Sequence, residues 1–404
     1  MKSSRTNILI GTLAVISVYI SGDVKAQQNN GMPDRMVDER WTKREVIGKA
    51  RMISESIENK KIFDSVERRL LRHMRALRIP GMQVAVVKGG KIICLKALGI
   101  ANVEDSIAVS DQTVFPVHGV TRAIISVSIM QLVEQGRLDI YGPISRYLDD
   151  LPRDWQKVTI LHLLTNSSGL PDCWDPIDRV PDHDDDVSWA KTLGTSILFE
   201  PGGKFLLSQT NYALLGKIIE RVSGMPFAQF ISTRQFNVAG MKCSGFGDAR
   251  DVIPHLSRDY CFYREIHDHR EDTNRLQVAA RNWPEFVWPS VGLNTSAKDL
   301  AQWTIALQEG RLIGKNAMAQ MWKPVVGWES SMEKNGLKEG YSCGWEETTF
   351  EKRRVHAITG GGKAAIYFFP DDDLTIIVSA NLGVHAEPDR MAEAIATIIN
   401  NYNP

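Results

Sequence analysis

Strand-like segments lie near both ends of this chain, and they constrain its fold more than any other feature. Near the start, MQVAVVKGGKIICLKALG (82–99) holds two apolar runs around Gly89-Gly90, the pattern of a tight hairpin. Near the end, further strand-like runs lie at 354–358, 364–369 and 374–380. Because the two groups of strands are far apart in sequence, we predict one antiparallel sheet built from both ends and flanked by helices.

The middle of the chain, from about 158 to 281, is predicted to be helical and rich in loops. ALLGKIIERVSG (213–224) has the apolar spacing of a helix and ends at a glycine, as helices commonly do. We therefore predict a two-lobed α/β (α+β) domain over the chain after residue 60. Residues 61–150 and 285–404 form its α/β lobe, 151–284 form a helical lobe, and the cleft between the lobes is the expected ligand site.

The N-terminus, residues 1–26, is predicted to be a signal peptide. Lys2 and Arg5 precede the apolar run 8–20, which is short for a membrane span, and a small-residue cleavage site follows it. We expect export to the periplasm or the medium, with no stable membrane span after cleavage. An uncleaved N-terminal anchor is the alternative. Residues 27–60 are predicted to be a polar linker with a lead-in helix.

Composition argues against several classes of function. The chain is 43% hydrophobic and 24% charged with a formal net charge of zero, so the composition indicates neither a nucleic-acid partner nor an anionic membrane. The five cysteines are widely spaced and match no zinc pattern, and their odd number leaves at least one thiol free or paired with another molecule. No metal and no cofactor is predicted.

Seven segments occur in an order and at spacings that resemble a known family. That family is the serine β-lactamase-related one, which includes class C β-lactamases, D,D-carboxypeptidases and related esterases. The resemblance covers about residues 60 to 400 and implies the serine β-lactamase/transpeptidase-like fold. The segments are IPGMQVAVVKGGKI (79–92), FPVHGVTR (115–122), MQLVEQGRLDI (130–140), VTILHLLTNSSGLPD (158–172), FEPGGKFLLSQTNYALLGKIIERVSG (199–224), VGLNTSAKDLAQW (291–303) and TGGGKAAIYFFPDDDLTIIVSANL (359–382).

The first family motif is altered at both chemical positions. Active relatives carry a nucleophilic serine at a helix start and a lysine three residues later, one helical turn away. The resemblance places Gly119 at the serine position and Arg122 at the lysine position. Glycine cannot form an acyl-enzyme, and arginine stays protonated and cannot act as a base at neutral pH.

The second and third motifs are altered as well. The Tyr-x-Asn motif corresponds to Leu207-Ser208-Gln209, so the tyrosine that passes protons is replaced by leucine. The Lys-Thr-Gly or His-x-Gly motif corresponds to Ile358-Thr359-Gly360, so the cation or imidazole is lost while Thr-Gly is kept. Because catalytic groups act as a unit, restoring one of them is not expected to rescue activity.

These replacements lead to the hypothesis of an exported pseudoenzyme. The old cleft is predicted to retain the ability to bind a ligand, which is a small molecule or a peptide-like, cell-wall or acyl compound. Gly119 is expected to leave vacant volume at the former serine position. Arg122 at the helix start could pair with a carboxylate, and the helix N-terminus offers N–H groups to an anion. The predicted ligand-binding residues are Gly119, Arg122, Ser208, Gln209, Thr359, Gly360 and Gly361.

Two other hypotheses stay open. The first is an active hydrolase or esterase with relocated catalytic groups, drawn from Cys173, Ser208, or a water activated by His118 or His356. The second is a fold kept as a scaffold for protein partners. A two-residue slip would bring His356 near the lost imidazole position, although Thr359-Gly360 already fits the motif directly.

Several other patterns are interpreted as structural. Ser188 with Lys191 and Ser331 with Lys334 have serine–lysine spacing by chance, and Ser126 and Ser128 are expected to be packed inside the protein. The clusters at 181–186 and 267–272, which contain His183, His267 and His269, are interpreted as solvated charges. Five tryptophans either line a ligand groove or pack the lobe interface: Trp155, Trp174, Trp189, Trp283 and Trp288.

Overall fold

The computed structural model describes residues 57–173, 185–266, 269–279, 283–325 and 340–401. Its helices are α1 Ile57–Leu77, α2 Thr121–Glu134, α3 Ile160–Leu164, α4 Asp185–Leu193, α5 Gln209–Ser223, α6 Phe227–Ile231, α7 Asn237–Ala239, α8 Trp288–Val291, α9 Ala297–Gln308, α10 Lys315–Met321 and α11 Pro388–Asn401. Its strands are β1 Gly81–Lys88, β2 Lys91–Asn102, β3 Ile107–Ala108, β4 Phe115–Pro116, β5 Gly245–Phe246, β6 Tyr260–Ile266, β7 His269–Val278, β8 Leu293–Thr295, β9 Gly340–Tyr341, β10 Glu346–Phe350, β11 Arg353–Gly360, β12 Ala364–Phe369 and β13 Leu374–Ala380.

The main sheet joins the two ends of the chain, as the sequence predicts. Eight strands follow the order β3-β2-β1-β13-β12-β11-β10-β9, and their pairs are antiparallel. The β1–β2 hairpin turns at Gly89 and Gly90, whose φ values of 58° and 67° suit glycine. The predicted α/β fold, with a large antiparallel sheet flanked by helices, is therefore confirmed.

Helices cover both faces of this sheet. On one face, α1 and α11 bury apolar side chains such as Phe63, Leu70 and Ile395 in one core cluster with β1, β12 and β13. On the other face, a larger cluster contains α2, α5 and α9. Every residue of α2 from Thr121 to Leu132 is buried, so this helix forms the centre of the protein.

The middle of the chain contains more strand than the sequence analysis expects. Residues 260–266 and 269–278 form the antiparallel pair β6–β7 within the region predicted to be helical and loop-rich. Part of β6 has the alternation of a strand, because Cys261 and Tyr263 are buried while Phe262 and Arg264 are more exposed. A second small sheet, β4-β8-β5, connects the region before α2 to the region before α9. The predicted lobe boundaries stay a prediction.

Within the described residues, no helix combines the length and the apolar composition that crossing a bilayer requires. The predicted signal peptide and most of the linker, residues 1–56, lie outside the described part of the chain.

Candidate functional site

A short turn fixes the start of α2. The 3-10 turn His118–Val120 leads directly into the helix, and His118 has a positive φ of 45°. The Thr121 hydroxyl donates to the His118 carbonyl oxygen at 2.5 Å and accepts from the Leu293 backbone N–H at 3.2 Å. The turn therefore lies against β8 and also contacts β11.

Gly119 lies so close to β11 that a side chain does not fit without movement. A Cβ atom added at Gly119 would stand 2.7 Å from the Thr359 carbonyl oxygen and 3.6 Å from the guanidinium carbon of Arg122. The first distance is well below a normal van der Waals contact. The expectation of vacant volume at the former serine position is wrong, because strand backbone and the Arg122 side chain already surround that position.

The Arg122 side chain is the central charge of the site, and Arg122 is only 8% exposed. Its Nε lies 3.5 Å from Ser290 Oγ, and its Nη2 lies 3.5 Å from Gln209 Oε1. Both distances are long for N–H···O hydrogen bonds. The guanidinium carbon also lies 5.7 Å from the centroid of the Tyr212 ring. Among the described residues, no carboxylate forms an ion pair with Arg122.

Two tyrosines beside Arg122 remain protonated at neutral pH. Burial raises the pKa of Tyr212 well above its usual value, and it also raises the pKa of Tyr341. The positive charge of Arg122 acts in the opposite direction on both groups, but burial is the larger cause. Neither phenol therefore supplies a base at pH 7.

The segment Leu207-Ser208-Gln209 is positioned by the loop that follows α3. Asn166 Oδ1 accepts from the Ser208 backbone N–H at 3.3 Å, and Asp172 Oδ1 accepts from the Gln209 backbone N–H at 3.0 Å. The Ser208 hydroxyl is buried and donates to the Pro171 carbonyl oxygen at 3.4 Å. Gln209 points the other way, where its Oε1 accepts from the hydroxyl of Ser290.

The end of β11 forms the opposite wall. Ile358 is buried, and the Thr359 hydroxyl donates to Glu346 Oε1 at 3.4 Å. On one side of β11 lies β10, whose pairing begins at Glu346 opposite Ala357. In the described chain, no strand pairs with β11 on that side after Ala357. Thr359 is only half-buried and lies next to the first turn of α2.

The two glycines after Thr359 have a packing role of their own. A Cβ atom at Gly360 would stand 2.0 Å from the Val117 carbonyl oxygen, and one at Gly361 would stand 2.6 Å from His118 Nδ1. Gly361 also has a positive φ of 59°. Contacts within the chain thus explain both glycines, and the ligand-binding role assigned to them stays a prediction.

The structure brings together most of the site residues that the three motifs predict. Gly119, Arg122, Gln209 and Thr359 meet around the first turn of α2, whereas the hydroxyl of Ser208 is turned toward Pro171. Four side chains that the motifs do not indicate complete this site: Tyr212, Ser290, Tyr341 and Glu346. Ser290 directly precedes one of the family-like segments, and that position was the available signal.

His356 is engaged away from the start of α2. Its Nδ1 lies 2.5 Å from Glu347 Oε2, and its ring stacks on Trp322 with centroids 4.3 Å apart. The Ser342 hydroxyl donates to the other oxygen of Glu347 at 2.8 Å. The register of β11 with β12 is regular from His356 to Gly360, so His356 is not shifted into the position of Ile358. The two side chains lie on the same face of β11.

The tryptophans and the remaining serines are mostly packing groups. Trp155 is fully buried in the core, and Trp283 contacts the ring of His118 edge-on at 5.6 Å. Ser126 and Ser128 are fully buried, as expected from their place inside α2. The positions that lie outside the described side chains are Trp174, His183, Ser188, His267, His269, Ser331 and Lys334.

Among the described residues, no three His, Cys, Asp or Glu side chains gather as a possible metal site. Surface cavities of about 360 and 520 Å³ lie beside Leu148 and Asp149, and no residue of the candidate site lines either of them.

Cys173 is poorly suited to be a relocated nucleophile. Burial raises the pKa of its thiol, and the nearby Asp172 carboxylate raises it further. Because the thiolate is the reactive form, a raised pKa lowers the reactive fraction at neutral pH.

We expect iodoacetamide to modify the native protein at Cys243 and to leave Cys94, Cys173 and Cys343 intact at pH 7. Burial raises the pKa of Cys94 and of Cys343 to about 12 each, and it raises that of Cys173 too. Burial raises the pKa of Cys243 as well, but its thiol is less enclosed than that of Cys173, so it serves as the internal control. Intact mass and peptide mapping, with a denatured sample for comparison, measure the result. Rapid native alkylation of Cys173 would contradict this prediction.

Comparison with protein families decides the relationship. The sequence model of the family described as Beta-lactamase matches residues 66–399. The chain belongs to the Beta-lactamase family. Among solved structures, this β-lactamase-family chain resembles the octameric penicillin-binding protein homologue from Pyrococcus abyssi, with a TM-score of 0.71 and 22% identity over 84% of this chain and 77% of that one.

A second solved structure with the same fold is D-amino acid amidase from Ochrobactrum anthropi SV3, complexed with L-phenylalanine. Its TM-score is 0.72 at 19% identity, and the match covers 85% of this chain and 100% of that chain. At such identities these likenesses support the fold alone. They confirm the serine β-lactamase/transpeptidase-like fold that the motifs imply.

Two curated relatives are more similar in sequence. The chain is 28% identical over 296 residues to penicillin-binding protein 4* of Bacillus subtilis (strain 168), covering 69% of this chain and 62% of that protein. It is 26% identical over 335 residues to protein flp of Staphylococcus aureus (strain MW2), covering 80% and 64%. The chain thus spans less than two thirds of the length of these relatives.

Proposed function

We propose that this protein is an exported member of the Beta-lactamase family that no longer performs acyl-serine hydrolysis and instead binds a ligand carrying a carboxylate. The observation that carries the proposal is the buried guanidinium of Arg122. It has long contacts to the oxygens of Ser290 and Gln209, lies beside the phenols of Tyr212 and Tyr341, and has no carboxylate ion-pair partner among the described residues.

The loss of hydrolysis rests on the chemistry of the four motif positions. Gly119 supplies no nucleophile, Arg122 supplies no base, Leu207 passes no proton and Ile358 supplies no cation. The protonated phenols of Tyr212 and Tyr341 do not replace the missing base. Such groups act as a unit, so the absence of all four removes the mechanism rather than slowing one step.

Ligand binding rests on the electrostatics of the site. Burying a cation without an anionic partner is costly, and a carboxylate offers two acceptors that match the guanidinium fork. The positive end of the α2 dipole also favours an anion here, while the N–H groups of Val120 and Thr121 are themselves bonded within the preceding turn. The half-buried Gln209 and Thr359 stand at the border of the site and are placed to contact the remainder of the ligand.

The class of ligand follows from the same chemistry. A peptide-like molecule offers a terminal carboxylate for Arg122 and amide groups for Gln209 and for the uncovered edge of β11. The solved amidase relative is described in complex with L-phenylalanine, which carries such a carboxylate. Amino acids and short peptides are therefore the first compounds to test.

The loss of chemistry is tested by covalent labelling. The purified protein is incubated with a fluorescent penicillin and with an activated fluorophosphonate, and its intact mass is recorded. We expect no adduct with either reagent. A stoichiometric adduct would contradict the proposal and favour an active hydrolase with relocated groups, whose nucleophile peptide mapping would then identify.

Carboxylate binding is tested with a matched pair of compounds. An N-acetylated dipeptide with a free C-terminal carboxylate is compared with the same dipeptide carrying a C-terminal amide. We expect the acid to raise the melting temperature, with a shift that grows with the logarithm of its concentration above Kd, and the amide to leave it unchanged. Equal shifts, or no shift at saturating acid, would contradict a site built around Arg122.

A further inference from the structure

The outer face of α1 carries an unusual concentration of positive charge. The helix buries Phe63, Val66, Leu70 and Met74, which recur at helical spacing against the core. On the opposite side, five cations are exposed over fifteen residues: Lys61, Arg68, Arg69, Arg72 and Arg75. We call these five residues the basic face.

The basic face lacks the carboxylate partners that other surface arginines of the chain have. Arg68 donates to the Ser65 hydroxyl at 2.8 Å, and none of the five cations forms an ion pair in the described structure. By contrast, Arg146, Arg221 and Arg354 each pair with an aspartate at 2.7–3.1 Å.

Two acidic side chains of α1 are described, Asp64 and Glu67, and neither forms an ion pair with the basic face. Glu67 points sideways to the buried ammonium of Lys96, which it contacts at 2.6 Å. That ion pair, together with the apolar residues beneath, fixes α1 to β2 and leaves its outer side to the solvent. The whole chain has zero formal net charge, so this local excess is a property of the face and not of the composition.

We propose that the basic face of α1 docks the protein on the surface of a bilayer containing anionic phospholipid. A rigid helix presents its cations to one plane, which suits a flat surface with many negative headgroups. The sequence places α1 after a predicted export segment, and the protein therefore meets a membrane surface when it is released. This inference does not depend on the ligand proposed for Arg122.

The strength of the interaction follows from the number of cations. Each lysine or arginine close to an anionic bilayer strengthens binding by about fivefold. Removing three cations is therefore expected to weaken binding by about 100-fold. The interaction should also decline steeply as salt is raised, since exposed charges are screened over about 10 Å at 0.1 M salt.

The test compares two triple variants of the full chain. R68Q/R72Q/R75Q removes three cations of the basic face while keeping residues that favour a helix. R146Q/K157Q/R221Q removes three exposed cations elsewhere and changes the net charge equally. Binding is measured by cosedimentation with equimolar phosphatidylcholine–phosphatidylglycerol vesicles. Pure phosphatidylcholine vesicles measure what the N-terminal apolar run contributes, and circular dichroism checks the fold.

We expect the native chain and the control variant to bind the anionic vesicles equally and the basic-face variant to bind about 100-fold more weakly. Equal binding by both variants would overturn the proposal, as would binding no stronger than to neutral vesicles. A double-stranded oligonucleotide that binds as tightly as the vesicles would also overturn it, because the face would then recognise polyanions in general.

Discussion

Replacing Arg122 by methionine is expected to abolish binding of the acetylated dipeptide acid while preserving or raising stability. Methionine fills much of the same volume without a charge. Removing one partner of a buried charged hydrogen-bonded pair costs about 2 kcal/mol or more, so we expect affinity to fall by at least about 30-fold. Replacing a buried charge by a well-packed apolar group is often neutral or stabilising by about 1–4 kcal/mol.

Titration calorimetry and urea unfolding measure the two effects on the same protein. Arg221→Met is the control, since it removes an exposed arginine that, within the described residues, pairs with Asp149. We expect it to change neither quantity. A further variant, Arg122→Lys, keeps the charge but loses the planar fork, and intermediate binding is expected. If Arg122→Met binds the acid as tightly as the native protein, the carboxylate site is refuted.

Replacing Gly119 by serine is expected to destabilise the protein without creating a nucleophile that reacts. The new Cβ would stand 2.7 Å from the Thr359 carbonyl oxygen, so the end of β11 or the first turn of α2 must move. Overpacking of this kind typically costs about 1–3 kcal/mol of unfolding free energy. Acylation is not expected, because Leu207 and Ile358 still lack the accompanying groups.

Urea unfolding measures the loss of stability, and intact mass after incubation with penicillin measures acylation. Gly245→Ser is the matched control, since no atom lies within 4 Å of the Cβ position at Gly245. Its unfolding free energy should stay within about 0.5 kcal/mol of the native value. A stable, penicillin-labelled Gly119→Ser variant would show that the remaining residues of the site still support acyl transfer.

Much of the fold is readable from local sequence. Gly89-Gly90 predicts the first hairpin because glycine adopts positive φ without a Cβ penalty, and the structure has both residues there. Phe63, Val66 and Leu70 have the spacing of one side of a helix, and α1 buries all three against the core. The β6–β7 pair was missed because its strands carry many charged residues and only part of each alternates clearly.

The chemistry missing from the site is also determined by the sequence. No folding of the chain can give Gly119 a hydroxyl group or make Arg122 a base at neutral pH. Aligning three motifs was enough to nominate Gly119, Arg122, Gln209 and Thr359, and the structure brings these four together. The loss of chemistry can be determined without a structure, since the identity of a side chain sets which bonds it is able to form.

The arrangement of those groups was decided only by the tertiary structure. Ser290 and Tyr341 lie far from Arg122 in sequence. The packing of α2 against α5 and α8 brings Ser290 to its guanidinium, and Tyr341 approaches from β9. The same packing closes the volume beside Gly119 and turns the Ser208 hydroxyl away from the site. Sequence therefore determined which chemistry this protein lacks. The tertiary structure decided which groups surround the Arg122 guanidinium, because they come from segments that are distant in sequence. No local sequence pattern encodes the distances between such segments.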